Sequence, residues 1–218
     1  METVSIFCPI SESIAPLVFQ SAVSMAAYAA MNGVHIQFIG VTERTLVDRA
    51  RNILATEFLK TDSDWSFWMD ADMVCHSPIS HAFLEQMVPA AAGAAFLGRR
   101  KKYTETGLYA LNLTQAPTLE LVDLMQGSYE RAEQDLFLMP EWHDCQVFDE
   151  KRAIIQRRYP DWQQINWSEH LVMGEGHPLV NTAWRDYLDH LKGDRKSMGR
   201  SKRKDMVEAS THHYWNQR

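Results

Sequence analysis

Short apolar runs alternate with longer runs of helical periodicity over the first hundred residues. The short runs predict buried strands, and the longer ones repeat apolar residues every three or four positions, which is typical of helices packed on a sheet. This alternation favours an α/β fold with crossover helices. The predicted strands span residues 4–8, 34–39 and 65–69, and the predicted helices span 15–32, 45–60 and a segment that begins at Ser77-Pro78.

The second half of the chain is less regular. Residues 90–97 and 108–113 predict two more strands, of which the second pairs back on the first. Residues 144–158 have helical character, and 183–191 place Trp184, Tyr187, Leu188 and Leu191 at helical spacing. With 218 residues in total, one domain over residues 1–218 is expected.

Composition narrows the classes of function. Twenty-two Lys and Arg against 28 Asp and Glu give a net charge of −6, which argues against coating nucleic acid or an anionic membrane by bulk charge. The longest small-apolar stretches, 25–31 and 88–97, are shorter than the roughly 18 residues that span a bilayer. Cys8, Cys75 and Cys145 form neither a disulfide framework nor a zinc pattern, so we expect a cytoplasmic protein, in the host cytoplasm if the chain is viral.

Two acids follow the third predicted strand. Asp70 and Asp72 stand at the carboxyl end of that strand, the edge where open α/β sheets bind ligands. Because the two acids are two positions apart on an extended chain, both carboxylates lie on one side and can share Mg²⁺ or Mn²⁺. The bound cation would in turn neutralise a diphosphate. The alternative is a strand-end turn, in which Asp is common for reasons of chain geometry.

This acid pair and the helix before it resemble the metal-dependent glycosyltransferases of the GT-A fold, in particular small bacterial and phage enzymes. The resemblance rests on the D-x-D of Asp70 and Asp72 and on the segment L-V-D-R-A-R-N at 46–52, followed by Phe58-Leu59. It implies a Rossmann-like α/β/α fold of three layers with a mixed, mainly parallel sheet. Its nucleotide-binding half is 1–98, its acceptor-side half 99–192 and its basic tail 193–218. The residues assigned to nucleotide and cofactor binding are Pro9, Asp48, Arg49, Asn52, Asp70 and Lys196. For the helix residues, a solvated face with a local Asp–Arg pair is the open alternative.

A second motif near the C-terminus resembles that of the glycogenin and lipopolysaccharide galactosyltransferase group. Residues 190–196 match H-x-x-G-x-x-K, which implies His190 as the third metal ligand beside Asp70 and Asp72, and Lys196 as a phosphate contact. Ser197-Met198 departs from the family's Pro-Trp, and His190 is predicted to end a helix. A helix-terminal His followed by a Gly stop is the alternative. His177 and His143 are the second and third candidates for the ligand.

An acidic-aromatic segment precedes the helix at 144–158. Around Trp142 it resembles the W-x-D or E-x-D element of GT-A enzymes, which implies Asp144, with Glu141 as the second choice, as the base that deprotonates the acceptor hydroxyl. The alternative is a helix cap at Asp144.

Two basic strips oppose the net negative charge, at 99–102 and 195–204. They favour either solvated faces or an anionic acceptor, such as DNA or a phosphorylated glycan, with Tyr103 and Trp215 available for stacking.

Together these patterns predict a Mn²⁺- or Mg²⁺-dependent glycosyltransferase with a nucleotide-sugar donor, UDP-sugar first. The acceptor hydroxyl belongs to a glycan or to a modified DNA base. Two alternatives stay open: a haloacid-dehalogenase-like phosphatase, because Asp70 to Val74 also matches D-x-D-x-V, and a catalytically silent carbohydrate- or nucleic-acid-binding module.

Overall fold

A mixed sheet runs through the part of the chain that the computed structural model describes, which is residues 3–9, 35–41, 64–70, 73–77, 79–99, 103–131, 144–168 and 178–190. Within these residues six strands follow the order β2-β1-β3-β6-β5-β7, and β4 and β8 form a separate ribbon. The strands are β1 (Thr3–Pro9), β2 (His35–Val41), β3 (Trp65–Met69), β4 (Met73–Cys75), β5 (Ala92–Leu97), β6 (Glu105–Asn112), β7 (Gln163–Asn166) and β8 (Leu188–His190).

Parallel pairs outnumber antiparallel pairs in the six-stranded sheet. β1 pairs in parallel with β2 and β3, as β5 does with β7, whereas β6 is antiparallel to both β3 and β5. The predicted α/β class with a mixed, mainly parallel sheet is confirmed. The five strands predicted from the sequence are all present, within three residues of their predicted ends.

Helices cover both faces of this sheet. The three described α-helices are α1 (His81–Met87), α2 (Ala116–Glu130) and α3 (Asp144–Arg158). Because strand side chains alternate between faces, Phe67 packs in one core with α1, and the neighbouring Trp68 packs in the other core with α2 and α3. These are the three layers expected from the sequence.

Two helix predictions are wrong. The segment at Ser77-Pro78 does not begin the helix: α1 starts at His81, and the Ser80 hydroxyl caps it by accepting a hydrogen bond from the Phe83 amide at 3.2 Å. Residues 183–191 do not form one helix, because Ala183–Asp186 is a short 3-10 turn and Leu188–His190 continues as β8. The edge of β4 supplies hydrogen-bonding partners there, and burial alternates with the period of a strand.

The predicted helices at 15–32 and 45–60 lie outside the described residues. No helix in the described ranges is both long enough and apolar enough to cross a membrane.

Candidate metal and catalytic site

Asp70 stands directly after β3, at the C-terminal edge of the sheet. Its amide donates a hydrogen bond to the Gly107 carbonyl at 2.9 Å, and the Trp68 indole donates to Asp70 Oδ1 at 2.8 Å. Trp68 is buried and stacks on Tyr109 with ring centroids 6.0 Å apart. A rigid aromatic pair therefore orients the carboxylate.

His190 reaches the same region through the β4–β8 ribbon. It is the last residue of β8 and pairs with Met73, which begins β4 three residues after Asp70. Its side chain is buried, with 3% exposed. His190 therefore ends a strand. The prediction that it ends a helix, and so departs from the family motif, is wrong.

Gly107 lies between these two side chains. A Cβ at Gly107 would stand 3.0 Å from His190 Cε1, 3.1 Å from Glu105 Oε1 and 3.3 Å from Asp70 Oδ2. The three side chains thus border one small space that the absence of a side chain at 107 leaves open. The structure brings Asp70 and His190 together, as the metal-site prediction requires.

Glu105 is the residue that the sequence prediction missed. It begins β6, is 6% exposed, accepts a hydrogen bond from the Gly107 amide at 3.2 Å and forms an ion pair with Arg99. Its position follows from the antiparallel register of β3 and β6, where Met69 pairs with Leu108. No local motif marks it, because that pairing is a long-range property of the sheet.

Asp144 begins α3 on the other side of β6. Thr106, the neighbour of Gly107, donates its hydroxyl hydrogen to Asp144 Oδ2 at 2.5 Å. Five residues later in α3, Asp149 accepts hydrogen bonds from the Thr104 amide at 2.7 Å and from the Thr104 hydroxyl at 2.6 Å. Two threonines of one segment thus fix the start of α3 beside the space at Gly107.

The residue types that border Gly107 are those that ligate a divalent cation, but the described residues alone do not complete a site for one. Carboxylate oxygens from Asp70 and Glu105 and a nitrogen from His190 suit Mn²⁺, and the oxygens suit Mg²⁺. Among the described residues alone, no group of three His, Cys, Asp or Glu side chains is arranged to hold a metal ion. Asp72, the predicted partner of Asp70, lies outside that part of the chain.

The other predicted site residues are divided between the described and the undescribed parts of the chain. The β1–β3 register, in which Phe7 pairs with Trp68, puts the backbone of Pro9 level with Asp70 at the same edge. Arg99 of the first basic strip and the neighbouring Tyr103 are described, whereas the other members of the strip, 100–102, are not. Outside the described residues lie Asp48, Arg49, Asn52, Asp72, Glu141, His143, His177, Lys196, Trp215 and the strip at 195–204.

The reactivity of Cys145 should report the charge on Asp144. Burial, followed by the negative charge of Asp144, raises the pKa of the Cys145 thiol. Asp144→Asn removes that charge, so the pKa should fall, the thiolate fraction at pH 8 should rise, and alkylation by iodoacetamide should accelerate. Peptide mapping by mass spectrometry measures the rate for each cysteine. Cys75 is the internal control, because burial raises its pKa to about 12 and it should stay unmodified in both proteins. An unchanged or slower Cys145 rate would contradict an ionised Asp144.

Gly107→Ala should weaken divalent-cation binding. The added methyl group enters the space bordered by Asp70, Glu105 and His190, at contacts tighter than ordinary van der Waals distance. We expect about a tenfold loss of Mn²⁺ affinity, the scale of a small misplacement of liganding groups. Isothermal titration with Mn²⁺ measures it. Gly127→Ala, the same change inside α2, is the matched control and should leave Mn²⁺ affinity intact while favouring the helix. Equal Mn²⁺ affinity in the two variants would contradict a cation site at Gly107.

Comparison with known proteins gives structural likeness without sequence likeness. No protein-family model matches the sequence, and no curated protein matches it. A glycosyltransferase involved in glycosylating the major capsid of PBCV-1 superposes with a TM-score of 0.56 at 13% identity, covering 94% of this chain and 98% of that one.

Two further structures match with lower scores. Drosophila β1,4-galactosyltransferase 7, a mutant in complex with manganese, UDP-Gal and xylobiose, has a TM-score of 0.46 at 12% identity and covers 95% of this chain and 79% of that one. The apo form of glycosyltransferase GlyE from Streptococcus pneumoniae TIGR4 has a TM-score of 0.43 at 8% identity and covers 74% and 44%. The chain therefore shares the α/β fold of the PBCV-1 glycosyltransferase over nearly the whole length of both proteins.

Proposed function

We propose that this chain is a metal-dependent glycosyltransferase that moves a sugar from a nucleotide-sugar donor, UDP-sugar first, to an acceptor hydroxyl. The observation that carries the proposal is the space at Gly107, where Asp70 from the C-terminal edge of β3 meets His190 from β8. The first acid of a D-x-D pair and the His of an H-x-x-G-x-x-K motif are 120 positions apart in the sequence. Their convergence is what the resemblance to GT-A enzymes requires.

In this proposal Asp70, Asp72 and His190 hold Mn²⁺ or Mg²⁺. When bound, the cation supplies Lewis-acid stabilisation of the departing diphosphate. The Trp68 indole keeps one oxygen of Asp70 occupied and so directs the other toward Gly107. Glu105 adds a third carboxylate beside this space, and Arg99 offsets its charge. The nucleotide would lie against Pro9 and against the undescribed residues Asp48, Arg49, Asn52 and Lys196.

Asp144 is proposed as the base that accepts the proton of the acceptor hydroxyl, with Glu141 as the alternative. The hydrogen bond from Thr106 fixes Oδ2 of Asp144, and Oδ1, which accepts a hydrogen bond from the Cys145 thiol at 3.9 Å, is the oxygen proposed to take the proton. Because Thr106 adjoins Gly107 in β6, the base and the donor-side acids are held by one strand.

A glycan is the proposed acceptor, in preference to a modified DNA base. The PBCV-1 neighbour takes part in glycosylating a capsid protein, and it matches almost the full length of this chain. No contact among the described residues favours the phosphatase or the silent module. Residence in the cytoplasm stays a prediction.

A donor-hydrolysis screen tests the proposed function. The protein is incubated with a panel of nucleotide sugars, with and without Mn²⁺, and released sugar is measured. We expect slow hydrolysis of one donor that stops when the metal is chelated. Acylphosphate formation on Asp70 would identify a phosphatase instead, and DNA or glycan binding without any nucleotide affinity would identify a silent module.

A further inference from the structure

A polar pocket of about 350 Å³ lies where β5 and β7 end, and Arg99 in its wall also pairs with Glu105 beside Gly107. Along the sheet, β1 and β2 lie on one side of β3, which leads to Asp70. The pocket lies on the other side, beyond β6. Its volume falls in the range of small-ligand pockets, about 300–1,000 Å³. Its polar walls are formed by Arg99, Thr104, Asp149, Arg152, Gln164 and Asn166.

The hydrogen-bond acceptors of this pocket are already engaged by its own donors. Asp149 Oδ1 accepts from the Thr104 hydroxyl at 2.6 Å and from Arg152 Nη2 at 2.9 Å, and Oδ2 accepts from the Thr104 amide at 2.7 Å. Gln164 Oε1 accepts from Arg152 Nη1 at 2.6 Å. Little acceptor capacity therefore remains for a ligand.

Some hydrogen-bond donors of the pocket, in contrast, have no acceptor among the described residues. Asn166 uses Oδ1 to accept from the Gly98 amide at 2.9 Å and from the amide and hydroxyl of Ser168 at 3.1 and 3.0 Å, whereas its Nδ2 has no acceptor among the described residues. That Nδ2 would be only 2.4 Å from a Cβ at Gly98, so it fills the place of the missing side chain. Arg152 has five N–H donors and spends two, on Asp149 and Gln164, while its guanidinium is held 4.0 Å over the Phe96 ring.

We propose that this pocket binds an oxyanion, a carboxylate or phosphate group carried by the acceptor saccharide. Guanidinium forks and an amide N–H group are the donors that such groups prefer. Asp149 lies five residues after Asp144 on α3, a helix rise of about 7.5 Å. Thr106 and Thr104, two positions apart in the chain, bind Asp144 and Asp149, so an acceptor whose hydroxyl meets Asp144 can extend into the pocket. Naming the ligand an acceptor rests on the proposed transferase function.

Ligand-observed NMR tests this inference on the 218-residue chain with Mg²⁺ and UDP. The probes are methyl β-D-glucuronide, glucose 6-phosphate and the neutral methyl β-D-glucoside. We expect one or both anionic sugars to bind at least about tenfold more tightly than the neutral sugar. The stronger of the two distinguishes a carboxylate from a phosphate. A thymidine oligonucleotide is the fourth probe, for the phosphodiesters of nucleic acid.

Asn166→Asp is the decisive variant, because it keeps Oδ1 as the acceptor for Gly98 and replaces the Nδ2 donor by a carboxylate oxygen. It should abolish the preference for anionic sugars. Gln163→Glu makes the same charge change at an exposed position of the same strand and should keep that preference. If Asn166→Asp does not fold, Arg152→Lys replaces it, since lysine keeps the charge and loses the fork.

Equal binding of anionic and neutral sugars, or equal effects of Asn166→Asp and Gln163→Glu, would overturn the inference. So would Asn166-dependent binding of the oligonucleotide without binding of either anionic sugar. The affinity for UDP with Mg²⁺, measured separately, tests the proposed function. If the protein did not bind UDP, the transferase proposal would be wrong, whatever the pocket binds.

Discussion

Asp70→Asn is expected to reduce glycosyl transfer roughly 100- to 1,000-fold, the scale of losing one preorganised electrostatic contact to a transition state. The asparagine keeps an oxygen at Oδ1 for the Trp68 indole, so the local structure should persist. What it loses is the negative charge that faces Gly107 and attracts the cation. Steady-state rates with the donor found in the screen, together with the Mn²⁺ dissociation constant, measure the effect.

Asp64→Asn is the matched control for this experiment. Asp64 precedes β3 at the opposite end of the same strand, far from the ligand-binding edge. The same chemical change there should leave both rate and Mn²⁺ affinity near those of the wild type. If both variants lost activity equally, or if Asp70→Asn kept full activity, Asp70 would not be a metal ligand.

Trp184→Ala is expected to lower the free energy of unfolding by about 3–5 kcal/mol, the usual cost of deleting a buried Trp side chain. Trp184 is 2% exposed, and its ring packs edge-on against Phe83, Trp167 and Phe67 at centroid distances of 5.0, 5.2 and 6.1 Å. It stands four residues before Leu188, where β8 begins. The cavity should therefore also loosen β8 and weaken Mn²⁺ binding by His190. Urea unfolding and Mn²⁺ titration measure the two effects.

Trp184→Phe separates packing from polar effects. The indole Nε1 has no hydrogen-bond acceptor in the described part of the chain, so its removal breaks no hydrogen bond. Phenylalanine keeps most of the aromatic contact and should cost less than half as much stability as alanine. A loss below about 1 kcal/mol for Trp184→Ala would show that this aromatic cluster does not hold β8 in place.

The strands were predictable because their signal is local. Trp65–Met69 is an uninterrupted buried run, and its bounds in the structure are those of the prediction. α2 was missed although Thr118, Leu121, Val122 and Met125 follow helical spacing, with a proline in the first turn.

The site was only partly predictable, because its geometry depends on pairings between distant segments. Residues 183–191 have the apolar spacing of a helix, yet β4 draws Leu188–His190 into a strand. Glu105 comes beside Asp70 and His190 through the antiparallel register of β6 with β3. Residue types and motif order therefore predict Asp70 and His190. Glu105, the third neighbour, can be identified only from the pairing of the strands.

The most direct test of the account is a crystal structure of the protein soaked with Mn²⁺ and UDP, with the cation located by anomalous scattering. The account predicts an anomalous peak within liganding distance of Asp70 and His190, next to Gly107, with the diphosphate on its other side. A peak elsewhere, or diphosphate bound while Asp70 and His190 touch no metal, would contradict it.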